Sequence, residues 1–73
     1  MIDTSKLKGL LAEKNISQAQ MAKILGITPE TFYRKMKVGI FNNREIDIMM
    51  FELKINDPRP IFFSNYVSLH DTT

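Results

Sequence analysis

Apolar side chains recur along this chain at the three- and four-residue spacing of α-helices, in short stretches separated by residues that start and stop helices. Leu7, Leu10 and Leu11 form one such stripe in a helix read over residues 1–15, with Asp3 as N-cap, Lys14 near the negative end of the macrodipole and Asn15 as a left-handed stop. Ile2 before that cap and Leu7 four positions after it make a hydrophobic staple. A second helix is expected over Gln18–Leu25. Ser17 is its N-cap, Gln20 completes a capping box, and Gly26 takes the positive φ that ends it. Thr28 caps a third helix whose first position, Pro29, needs no N–H. Helical period puts Phe32 and Met36 on one face of it and Glu30, Tyr33, Arg34 and Lys37 on another. Gly39 stops this helix, and Asn42 with Glu45 repeats the capping box before a fourth helix over Asn43–Leu53.

The fourth helix has more apolar surface than one buried face needs. Ile46, Met49, Met50 and Leu53 make one stripe, whereas Ile48, Phe51 and Ile55 make a second that the C-terminal tail or another chain must cover. Those three are read as a protein interface. The linking residues Val38, Ile40 and Phe41 are apolar too, and Phe41 is expected to be buried. Asp57–Phe63 reads as a capped single turn returning aromatic residues to the core. The expected architecture is all-α and compact: one five-helix domain over residues 1–63, then an extended or disordered tail over 64–73 in which His70 is solvated.

Two helices three residues apart must turn sharply, so QAQMAKILGITPETFYRKMK, residues 18–37, is a helix-turn-helix. These residues resemble the phage Cro and repressor-type (XRE-like) DNA-binding domains, and the phrase around Asp57, Pro58, Ile61, Phe62 and Phe63 resembles the fifth helix of the same group. The resemblance covers roughly residues 5 to 63. It implies a lambda-repressor-like fold, with Ala22 where the two helices cross, Ile16 under the turn, and Met21, Leu25, Ile27 and Phe32 buried. It further implies that Gln18 bonds a DNA phosphate and that Thr28, Pro29, Glu30 and Thr31 point at base edges. Lys35 departs from the pattern, since a branched aliphatic is usual there. Either its stem covers the core edge while the ammonium reaches water, or Met36 takes over.

Helix geometry adds base-reading candidates of its own. An α-helix fits the major groove, where an arginine donates two bonds to guanine, so Arg34 is the first choice; Tyr33 reaches a thymine methyl or a phosphate. Glu30 has three open roles: favouring the helix N-terminus, pairing with Arg34, or accepting from cytosine. The net charge of +2 matters less than its placement, because Arg34, Lys35, Lys37 and Arg44 fall in a stretch with no acid. Lys35, Lys37, Asn42, Asn43 and Arg44 are therefore candidates to grip phosphates and set docking register.

Other classes are excluded on the same grounds. A chain of 73 residues holds one small core, and without cysteine it closes by packing alone. No apolar run is long enough to span a membrane and no signal-peptide pattern occurs, which gives an expectation of a cytoplasmic protein. No nucleophile with a nearby histidine, metal-ligand cluster or glycine-rich phosphate loop is present, so no catalytic residue, metal or cofactor is expected. The chain ends where a longer phage repressor would continue into oligomerisation or self-cleavage, which favours a Cro-like regulator. It would bind double-stranded DNA as a homodimer and act by operator occlusion. The alternative is an antirepressor that binds the phage repressor protein of the same genetic switch.

Overall fold

A computed structural model describes residues 2–57 and 59–62. Among these residues five helices follow in order: α1 (Thr4–Glu13), α2 (Gln18–Leu25), α3 (Pro29–Val38), α4 (Asn43–Leu53) and α5 (Arg59–Phe62). The caps account for the boundaries. Asp3 accepts the Lys6 N–H, so α1 starts at Thr4, later than the sequence reading, and it closes earlier, at Glu13. In α2 the Ser17 hydroxyl accepts from Gln20 N–H at 3.0 Å while Gln20 Oε1 accepts from Ser17 N–H at 2.7 Å. Asn42 and Glu45 form the same reciprocal pair at α4.

The first four helices stop alike. A left-handed residue, Asn15, Gly26, Gly39 or Lys54, is followed each time by an isoleucine whose N–H reaches a carbonyl five residues back. Ile16 donates to Leu11 O at 2.9 Å, Ile27 to Ala22 O at 3.0 Å, Ile40 to Lys35 O at 3.3 Å and Ile55 to Met50 O at 3.0 Å. Three of these isoleucines pack against the core, whereas Ile40 stays 65% exposed.

Leu7, Leu11, Met21, Leu25, Phe32 and Met49 lie at the centre of one core. Ala22 is fully buried, as close approach of α2 to α3 requires. Phe41 is buried and its ring stands 5.5 Å from that of Phe32, with the planes tilted. The N-terminal segment ties the periphery together: Ile2 N–H donates to Gly39 O and Asp3 N–H to Ile61 O. α5 brings Ile61 and Phe62 into the core. Met1, Pro58, Phe63 and the tail over 64–73, including His70, lie outside the described residues.

Candidate nucleic-acid interface

α3 is set by its cap and its buried face. Thr28 Oγ1 accepts from Thr31 N–H at 3.2 Å and its O–H donates to Thr31 Oγ1 at 2.8 Å. The Thr28 hydroxyl is thus occupied locally, and the Thr31 O–H is the one left to donate outward. Phe32 and Met36 are buried against the rest of the core, and that anchoring turns Glu30, Tyr33, Arg34 and Lys37 to solvent. Pro29 and Thr31 are half-buried at the helix start. No ion pair joins Glu30 to Arg34 among the described residues. Of its three roles, Glu30 therefore keeps its place in the first turn, where the helix dipole favours an anion, and the base contact.

The flanking candidates divide. Gln18 occupies the first position of α2 and is half-buried. Lys37 and Asn43 are exposed. Arg44 Nη1 donates to Leu25 O at 3.3 Å, so this side chain also closes the C-terminal end of α2. Asn42 uses its Oδ1 on Glu45 N–H at 2.8 Å, which leaves its amide NH₂ to meet a phosphate.

Lys35 lies half-buried at the core edge and is engaged within the fold. Its ammonium donates to Glu45 Oε1 at 2.8 Å, so the charge expected at a phosphate already has a partner inside the fold. The Glu45 side chain is only 3% exposed and that of Lys35 24%. A buried carboxylate is costly without a cation, and that cost draws Lys35 inward. Glu45 was legible only as a capping residue. The signal for the pair was the misfit itself, a lysine at a core-edge position with an acid ten residues later.

The apolar trio read as an interface is also uneven, and Ile55 falls beyond the end of α4, after Lys54. Phe51 is 81% exposed, whereas Ile48 and Ile55 are half-buried and packed against the core. The stripe expected as a free interface is thus one exposed aromatic residue with two partly covered neighbours.

The family model described as bacterial regulatory protein, Fis family, matches residues 6–38, from α1 through the end of α3. The chain carries a helix-turn-helix DNA-binding domain. No curated protein and no solved structure matches the chain significantly. The match covers under half of the chain, and it falls on a different helix-turn-helix family from the phage group that the sequence resembles. What the two have in common is the motif. A helix-turn-helix presents its second helix to duplex DNA, and in this one α3 is that helix. Among the described residues no helix is long and apolar enough to cross a membrane, and no three His, Cys, Asp or Glu side chains gather as a metal site.

Proposed function

We propose that the protein is a sequence-specific transcription regulator, Cro-like or a short phage-type repressor, that occludes an operator as a symmetric dimer. The observation that carries this reading is the division of α3 into a buried anchor, Phe32 and Met36, and an exposed face holding Glu30, Tyr33, Arg34 and Lys37. In this reading Arg34 donates to guanine O6 and N7, and Thr31, Glu30 and Tyr33 address neighbouring base edges. Thr28 and Pro29 supply apolar contact at the helix start. Gln18, Lys37, Asn42, Asn43 and Arg44 hold phosphates. The dimer forms over Phe51, with Ile48 and Ile55 at its margin, and each protomer takes one half-site about one helical turn from the other.

Selection of duplexes from a random pool, followed by affinity measurement on the winner and on scrambled DNA, tests the proposal. An enriched inverted repeat is expected, and Arg34→Ala should lose roughly 1–3 kcal/mol of discrimination at one base pair of each half-site. Unchanged specificity in Arg34→Ala would remove the central contact. A second reading is favoured by the exposure of Phe51: an antirepressor that seats this residue on the repressor of the same genetic switch. In that case the folded protein alone enriches no duplex, and enrichment changes when the repressor is added.

A further inference from the structure

We infer that Lys35 and Glu45 are positioning residues: together they fix the orientation of α3 against the start of α4 and thereby set sequence discrimination, without neutralising phosphate. The inference rests on the DNA-reading role proposed for α3. Glu45 Oε1 accepts from Lys35 Nζ at 2.8 Å and from Asn42 N–H at 2.9 Å, while Asn42 Oδ1 accepts from Glu45 N–H at 2.8 Å. One carboxylate oxygen thus joins the middle of α3 to the first turn of α4. Lys35 Nζ also lies 6.0 Å from the centroid of the Phe41 ring, which in turn packs on Phe32. Arg34 is the neighbour of Lys35 in the chain, and Asn43 and Arg44 fill the gap from Asn42 to Glu45. The pair is therefore adjacent in the chain both to the group proposed to read bases and to the groups proposed to hold the backbone.

The cap does not explain the charge. In α2 the neutral Gln20 makes the same reciprocal bonds with Ser17, in the open. A capping box needs an acceptor and nothing more, so a buried anion at position 45 answers to Lys35. Buried ion pairs contribute little net stability, because desolvation cancels most of the attraction, and in some proteins their role is to specify one geometry. Base contacts depend on such geometry, since a reading side chain must be held within about 0.5 Å of its productive position. Because Glu45 already balances the charge of Lys35, that ammonium releases no counterion on DNA.

The test is the double variant Lys35→Met/Glu45→Gln, which keeps side-chain volume and a capping acceptor of the kind Gln20 provides. It is compared with wild type and with Lys37→Gln at a temperature where all three are folded by circular dichroism. The double variant should lose on the order of tenfold in affinity for the selected duplex, comparable to a weakened base contact. Its affinity for scrambled DNA and the slope of log K against log salt should be unchanged. Lys37→Gln should weaken both duplexes and reduce the slope by about 0.9. An unchanged ratio of selected to scrambled affinity in the double variant overturns the inference, and so does a slope reduced as in Lys37→Gln. Residual dipolar couplings of the free proteins give a readout independent of DNA: α3 and α4 should share one alignment frame in wild type and lose it in the double variant. Identical couplings overturn the inference as well. A wild-type pool without any enriched duplex would instead overturn the DNA reading, and the couplings would then decide on the pair alone.

Discussion

Lys54 ends α4 with φ at 53°, in the left-handed region where a side chain meets its own backbone. Its counterparts at the other helix ends are Asn15, Gly26 and Gly39, residue types that enter this region at lower cost. Lys54→Gly should therefore raise stability by about 0.5–1 kcal/mol, read as a higher urea midpoint at unchanged slope. A lower midpoint would mean that Lys54 makes a compensating contact. Gly9 is the converse case. It lies inside α1, and a Cβ built there meets nothing, so Gly9→Ala should stabilise by about 0.5–1 kcal/mol. The contrast explains what was legible in the sequence. Asn15, Gly26 and Gly39 announce their stops because glycine lacks the Cβ that clashes at positive φ and asparagine tolerates it, whereas a lysine announces nothing. Lys35 and Glu45 were hidden for another reason. Each has a sufficient local role, one in a basic strip and one in a cap, and only the tertiary fold, with α2 packed on both α3 and α4, brings them together.

At the scale of elements, α2 and α4 begin and end where the sequence placed them, because a reciprocal cap pins each start and a left-handed residue each end. α5 depends on less. It is a single turn, far too short to hold by its own hydrogen bonds. Asp57 Oδ1 accepts from Arg59 N–H at 3.1 Å and from Arg59 Nε at 3.0 Å, and Oδ2 accepts from Nη2 at 3.1 Å. The Arg59 guanidinium, and then its backbone N–H, hold the Asp57 carboxyl below its ordinary value. A carboxyl lowered in the folded state contributes its stability above the unfolded pKa and loses it as pH falls through the folded one. Docking of α5 should accordingly loosen below about pH 4, where carboxylates protonate. The Ile61 methyl resonances would report this, since Ile61 is buried and its carbonyl accepts from Asp3 N–H. Asp57→Asn should remove that acid step. If the variant shows the same step, another carboxylate holds the turn. The two apolar stripes of α4 were legible as a surplus of hydrophobic residues. Their division was not, because covering Ile48 and Ile55 depends on how neighbouring elements fall around the helix.

For the whole molecule, the surplus comes down to Phe51. Arg34 and Lys37 on α3 and Arg44 on α4 give the proposed DNA side its exposed cations, whereas Phe51 stands among the exposed acids Asp47 and Glu52. An aromatic ring in such surroundings gains most by leaving water against another protein surface, roughly 1.5–3 kcal/mol when fully buried. In the proposed dimer two such rings, one from each protomer, account for a contact that strengthens binding to paired half-sites without touching DNA. Phe51→Glu isolates this contribution, because the side chain is outside the core cluster of the described residues. Its stability should stay within about 0.5 kcal/mol of wild type, as for an ordinary surface change. Ile48→Glu would bring a charge into the edge of the core and confuse dissociation with unfolding. Sedimentation of Phe51→Glu should show the monomer at concentrations where wild type dimerises. Its affinity for an inverted repeat should fall to that for a single half-site, while the single-site affinity itself stays at the wild-type value. A variant that remains dimeric would move the interface to another surface, with the exposed Ile40 as the next position to charge. A variant that is monomeric but undiminished on the inverted repeat would show that the two half-sites are bound independently.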